Sequence, residues 1–420
     1  MADLKDKKDS DYLFMQEKIK QKPIYQNRTV RKCASCILSG VLFALAALGV
    51  WAFALPFLDN QAEEQEIQPI EIPEEEENTE TEEEEDSTVY ITETVSMELE
   101  DYKKMYQQLI QIGNQAEKSL VNISVLSMDT DWFDEIYTSQ STVSGVVIGD
   151  NGLELLILTG YEEVRGGESL QITFFDRTTA AGTLKNYNKN TGLAMISVNL
   201  SDISDSTKGV IQYANLGSSK TARNGEPVIA VGNPAGVYGS VLFGNLTSVT
   251  QTAGIYDGSY TVLTTDMAKA DNSSGVLINW DGKIVGIIQN RCEVNGQENM
   301  IQAYGISDMK EEIEHLSNSQ DLVYMGIIGA DVTTTISEQE EIPVGVYVSE
   351  VAMDSPAMAG GIQPGDIITS MSGQQVTNLK DVRSILLKCS NGQSIQVVCQ
   401  RPDKDGYQEL EATVQLIILQ

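Results

Sequence analysis

The 420-residue chain contains a single histidine, His315. That count constrains its chemistry at once. Metal sites built from several imidazoles are excluded, and a serine nucleophile activated by histidine has one candidate base. Five cysteines in a chain of this length make no disulfide framework. Cys33 and Cys36 lie close together, while Cys292, Cys389 and Cys399 are scattered and read as small buried side chains with no structural disulfide. No phosphate loop or dinucleotide fingerprint occurs, and Gly232-Asn233-Pro234-Ala235-Gly236 reads as a tight turn, not a nucleotide cradle. The net charge of −33 argues against nucleic acid as a partner, because phosphate binding needs clustered Lys and Arg. No metal and no cofactor is expected.

The elements that would position any site fall into distinct electrostatic zones. Residues 1–32 carry nine Lys/Arg and five Asp/Glu, whereas residues 59–101 carry nineteen acids and no base. Between Lys32 and Asp59 lie 26 uncharged residues, CASCILSGVLFALAALGVWAFALPFL. At about 1.5 Å per residue they reach roughly 39 Å as a helix, enough to cross a hydrocarbon core of about 30 Å. Trp51 and Phe57 sit toward the far end, where aromatic rings suit the headgroup boundary. A cleaved signal peptide would have a shorter leader and a shorter apolar run, so 33–58 is expected to be a single transmembrane helix. Arg28, Arg31 and Lys32 just before it imply a cytoplasmic 1–32 tail and an extracytoplasmic remainder. Cys33 and Cys36 at the cytoplasmic edge read as small helix residues.

Residues 59–97 include EEEENTETEEEED, whose like charges repel. The segment is expected to be an extended, disordered spacer. Residues 98–119 place Leu99, Tyr102, Met105, Tyr106, Leu109, Ile110 and Ile112 at helical spacing, an amphipathic helix that could pack on the next domain or on another copy. After Leu120 short apolar runs alternate with Gly, Asn and Asp: VNISVL, SGVVIG, LELLIL, LQITFF, LAMISVNL, EPVIAVG, GVLINW and KIVGII. Asp-Gly and Asn-Gly pairs form hairpin turns because they tolerate positive φ, so many short strands in a barrel or sandwich are predicted.

Against that background the region 120–316 resembles the protease domain of HtrA-type trypsin-like serine proteases. The resemblance rests on Ser144-Gly145-Val146-Val147-Ile148, Leu216-Gly217-Ser218-Ser219, the run from Gly225 to Pro234, and Thr265-Asp266 followed by Asn272-Ser273, Gly275, Leu277, Asn279 and Gly282. It implies two antiparallel β-barrels with an active site between them. Acyl transfer there needs a serine, a histidine base, a carboxylate that orients it, and backbone amides that stabilise the oxyanion. By resemblance Ser273 keeps the nucleophile position. Glu162 takes the histidine's place in Leu158-Thr159-Gly160-Tyr161-Glu162, and a carboxylate is a poor base for an alcohol at neutral pH. Gly192 replaces the orienting Asp, and Asp271 replaces the oxyanion-hole Gly, adding repulsive charge and a Cβ. His315 lies in Lys310-Glu311-Glu312-Ile313-Glu314-His315-Leu316, read as a polar helix with a solvated histidine. Three losses in four elements point to a pseudoprotease; an active serine endopeptidase using Ser273 with an unusual base is the alternative.

Residues 322–420 resemble a PDZ domain, on Tyr324-Met325-Gly326-Ile327, Gly345-Val346-Tyr347-Val348, Ser355-Pro356-Ala357, Ala359-Gly360-Gly361, Pro364-Gly365-Asp366 and a helix over 379–387. PDZ domains add a peptide to a sheet edge and hold its C-terminal carboxylate on backbone amides. The resemblance makes Tyr324, Met325, Gly326 and Ile327 the carboxylate loop and puts Val382, Ile385 and Leu386 on the groove helix, although Ile385 and Leu386 fit a core face equally well. The expected whole is mainly β: a trypsin-like double antiparallel β-barrel, then a small α+β PDZ domain, behind one transmembrane helix. Its expected partners are exposed peptide C-termini, misfolded proteins or unfolded segments, in quality control or regulation. The resemblance also implies a homo-trimer, which the 98–119 helix could serve.

Overall fold

In the computed structural model, residues 68–73, 98–130, 136–289, 297–404 and 406–419 are described. The segment 33–58 expected to span a membrane, Cys33, Cys36 and Cys292 lie outside them. Among the described residues no helix is long and apolar enough to cross a membrane.

Six strands close the first barrel: β1 (Leu120–Thr130), β2 (Ile136–Asp150), β3 (Glu154–Gly160), β4 (Ser169–Thr173), β5 (Thr179–Asn188) and β6 (Leu193–Asn199), in the order β1-β2-β3-β6-β5-β4. Six more close the second: β7 (Pro227–Asn233), β8 (Ser240–Ile255), β9 (Gly258–Ala268), β10 (Ser274–Ile278), β11 (Ile284–Ile288) and β12 (Met300–Gly305), in the order β10-β11-β12-β9-β8-β7. The unbroken apolar runs of the sequence have a physical reason here. Alternate side chains of a strand face opposite ways. Leu155 and Ile157 of β3 enter the first barrel's core, while Leu156 and Leu158 enter a second core shared by both barrels. Likewise Val228 and Ala230 of β7 fill the second barrel, and Ile229 and Val231 face the shared core. Strands buried on both faces carry no polar alternation.

Helix α1 (Leu99–Ala116) opens on a reciprocal cap between Glu98 and Asp101 and lays Leu109, Ile112 and Ala116 on the shared core. Leu99, Tyr102, Tyr106 and Ile110 remain exposed. A short helix α2 (Tyr161–Val164) follows β3. Helix α3 (Ile306–Ser317) closes the double barrel with Ile306, Met309, Ile313 and Leu316 buried. It is therefore not a polar helix. His315 on it is half-buried rather than solvated, and burial lowers its pKa.

The acidic segment also departs from a free spacer. Residues 68–73 lie against the barrels as a strap: Gln68 N–H donates to Asn151 O (3.1 Å). Ile70 N–H donates to Asn318 Oδ1 (3.0 Å), Asn318 Nδ2 donates back to Ile70 O (3.0 Å), and Ile72 N–H donates to Glu314 Oε2 (3.3 Å). Ile70 and Ile72 pack on the shared core. Two isoleucines at period 2 are a strand signal too short to stand out among the acids.

The C-terminal domain is a sheet of β14 (Ile327–Val332), β15 (Gly345–Val351), β16 (Ile367–Met371), β18 (Ser394–Asp403) and β19 (Gly406–Gln415), with β17 (Gln374–Gln375) on β16. A second pair joins β13 (Val323–Tyr324) to β20 (Ile417–Ile418). Helix α4 (Leu379–Leu387) buries Val382, Ile385 and Leu386 in the domain core, so all three are core residues here. Cys389 and Cys399 are buried thiols in the same core. The turn Pro364-Gly365-Asp366 is held by Arg401, whose Nε and Nη2 donate to the Asp366 carboxylate at 2.6 and 2.8 Å.

Candidate functional site

Two centres emerge, one at the seam between the barrels and one where the C-terminal domain meets the second barrel. At the seam, the turn before β10 carries Ser273 and Asp271. The Ser273 hydroxyl is 1 % exposed and donates to Pro234 O at 2.6 Å. The same oxygen accepts from Ala270 N–H at 2.8 Å. Ser273 N–H, the natural donor to an oxyanion, instead donates to Ala270 O at 3.1 Å. Both groups a serine enzyme needs are thus consumed by main chain within and beside the turn. Asn233 Nδ2 donates to Asn272 O (3.1 Å) and Asn272 Nδ2 to Gly236 O (3.4 Å), stitching this turn to the tight turn of residues 232–236. That tight turn supplies the Pro234 acceptor, a role the sequence does not reveal.

From the first barrel, α2 presents Glu162, with its side chain 34 % exposed and 2.7 Å from Arg165 Nε. Glu162 is thus ion-paired with Arg165, one helical turn on. Gly192 adopts φ +75°, a conformation suited to glycine. Its carbonyl accepts from Tyr161 N–H at 2.7 Å, which ties the start of α2 to the turn before β6. Asp271 is exposed at the rim. Beside the Ser273 turn, Ser144, Thr159, Gly160, Glu163 and Ser274 surround a cavity of about 10 Å³, the room of about one water.

At the second centre the sequence marks the loop of residues 324–327 but not Asp257. Asp257 occupies the two-residue turn between β8 and β9, where Ile255 pairs with Gly258. It is 7 % exposed and has φ +60°. Its carboxylate accepts from Met325 N–H at 2.7 Å, Gly326 N–H at 2.9 and 3.0 Å, and Ile327 N–H at 2.9 Å. Burial pushes this carboxyl up to about 6, against the pull of those three amides. Of the four predicted carboxylate-loop residues, Met325, Gly326 and Ile327 turn their N–H groups onto one carboxylate, that of Asp257. Gly326 has φ +93°, and a Cβ there would stand 2.4 Å from Ser355 Cβ, so the loop needs glycine. Nearby, Arg383 of α4 sits 4.6 Å above the Tyr260 ring and 4.0 Å from Glu312 of α3. Glu312 is 1 % exposed and accepts from Asn188 Nδ2 (3.0 Å), Tyr260 OH (3.2 Å) and Thr191 Oγ1. Lys380 and Asp308 add a rim pair at 3.3 Å.

Two six-stranded barrels with a serine turn at their seam, followed by a sheet whose Y-x-G-I loop cradles a carboxylate, define a trypsin-like peptidase domain with a PDZ domain. The corresponding family models match, Trypsin-like peptidase domain over residues 143–287 and PDZ domain over 319–416. The chain belongs to the HtrA-type family. It is 28% identical over 330 residues to Serine protease Do-like HtrA of Bacillus subtilis, covering 74% of this chain and 71% of that protein. It is 30% identical over 276 residues to Serine protease Do-like HtrB of the same organism, covering 61% and 59%. Among solved structures, HtrA-type protease AlgW with decapeptide superposes with a TM-score of 0.53 at 20% identity, covering 74% of this chain and 98% of that one. This likeness concerns the fold.

Proposed function

We propose that the chain is a membrane-tethered, extracytoplasmic HtrA-like pseudoprotease. It binds exposed peptide C-termini or unfolded segments through its PDZ domain, in protein quality control or in regulation of active relatives. The observation that carries this reading is the closed Ser273 turn, whose hydroxyl and N–H are both bonded to main chain; the motif resemblance, which sets Glu162, Gly192 and Asp271 at the base, orienter and oxyanion-glycine positions, supports it. The PDZ reading is supported by the loop's three convergent amides and by the peptide-bound state of the AlgW structure. Tethering through 33–58 follows from the uncharged run and its flanking charges. The exposed Tyr102, Tyr106 and Ile110 of α1 suit assembly of copies into a trimer, which sedimentation of the detergent-solubilised chain reads directly.

The catalytic half is tested with a serine-reactive fluorophosphonate and with casein. The expected result is no modification of Ser273 and no cleavage. Stoichiometric labelling that disappears in Ser273→Ala, with casein hydrolysis, would instead make the chain an endopeptidase with an unusual base.

A further inference from the structure

The geometry at Asp257 copies, bond by bond, what a captured C-terminus would need. A terminal carboxylate must be met by convergent N–H donors, and Asp257 receives those of Met325, Gly326 and Ile327 within 3.0 Å. A strand added to a sheet edge also exchanges main-chain bonds with it. Asp257 N–H donates to Ile327 O at 2.7 Å, and Ile327 begins β14, the outermost strand of its sheet. The approach continues beyond one residue, since a Cβ on Gly254 would lie 3.9 Å from Ile328 Cγ2. The tip is fixed by its neighbours too, with Tyr256 and Tyr324 edge to face at 5.7 Å. An aspartate at the left-handed turn position gives one residue both a free N–H and a carboxylate, the two groups a terminal residue offers.

We propose that Asp257 is the resident ligand of the PDZ carboxylate loop, and that a partner's free C-terminus binds there by displacing the tip of the β8–β9 hairpin. This rests on the reading of the C-terminal domain as a receptor for peptide carboxylates. It adds that the receptor is occupied in cis, and that occupancy by a partner breaks a contact between the PDZ domain and the second barrel. Peptides lacking a free carboxylate cannot compete for the three amides.

The test uses the full-length chain in detergent and fluorescein-labelled heptapeptides ending in valine, phenylalanine or alanine, each with a free carboxylate and as its C-terminal amide. Asp257→Ala removes the resident carboxylate, and Asp257→Asn keeps its shape in case the alanine variant does not fold. At least one carboxylate peptide is expected to bind the variants ten-fold or more tighter than the wild type, with no gain for the amides. In the wild type, saturating peptide is expected to speed hydrogen exchange at the Asp257 amide while those of Met325, Gly326 and Ile327 stay protected. Equal affinity of wild type and folded variants for the same carboxylate peptides, with the Asp257 amide still protected, overturns the resident-ligand proposal and leaves the PDZ reading standing. Binding of none of the peptides by any folded form removes that reading and the proposal with it.

Discussion

Arg383→Ala is expected to destabilise the folded chain by about 3–5 kcal/mol, because it strands a buried carboxylate without its cation. The guanidinium is 13 % exposed and Glu312 1 %, so solvent screens the pair little. The loss falls on the joint between the peptidase and PDZ domains, since Glu312 sits on α3 and Arg383 on α4. Arg383 also covers the Tyr260 ring, and that contact disappears with the same substitution. Thermal unfolding followed by near-ultraviolet circular dichroism measures the loss, and limited proteolysis within residues 317–322 reports whether the domains separate. Glu312→Gln with Arg383→Ala is expected to recover part of the stability, because the neutral amide removes the stranded charge and keeps an acceptor oxygen for the Asn188, Tyr260 and Thr191 donors. The pH response has a definite sign. Burial raises the Glu312 carboxyl above its ordinary value, while Arg383 holds it down. Removing Arg383 lets it rise further, so the folded variant takes up a proton that the unfolded chain does not. The deficit of Arg383→Ala therefore shrinks as pH falls from 8 toward 5. A deficit independent of pH would mean that lost packing, not the stranded charge, dominates.

The second large effect is expected at Gly275 in β10. Its φ is +124°, and a Cβ there would stand 2.1 Å from Val231 O on the neighbouring strand. The obstacle is backbone of β7, paired with β10 from Ser274 to Ile278, so nothing flexible can yield. Gly275→Ala is expected to cost about 4 kcal/mol or more, among the largest single-residue losses. For a domain of this size that lowers Tm by roughly 10 °C. Gly152→Ala is the internal control: it shares a positive φ, +87°, but meets nothing within 4 Å. Its loss is expected to stay near 1 kcal/mol, the conformational part alone. Similar losses at both positions would show that β7 and β10 can part without unravelling the seam.

Much of the architecture was legible because it is written locally. Turn pairs bounded the strands of both barrels, and the helix over 379–387 that the PDZ resemblance implied matches α4. The seam positions Glu162, Gly192, Asp271 and Ser273 could be named because motif order is kept around them. What escaped depends on residues distant in sequence. Asp257 looks like any Asp-Gly hairpin former; that its carboxylate meets Gly326, 69 residues on, is set by how two domains dock. Glu312 and Arg383, 71 residues apart, are paired only because α3 and α4 face each other. His315 looked solvated for the same reason. At Ser273 the residue type was informative but its rotamer was not, and the bond from its hydroxyl to Pro234 O depends on a turn 39 residues away.

The strap of residues 68–73 determines where force enters the molecule. A pull on the chain ahead of Gln68 is resisted first by four hydrogen bonds, to Asn151, Asn318 twice and Glu314. Helix α1, which begins at Leu99, is reached only after these yield. Tension is therefore delivered to the β2–β3 turn and to the end of α3, within a few residues of the connection to β13. A load from the N-terminal side thus acts close to the connection into the PDZ domain.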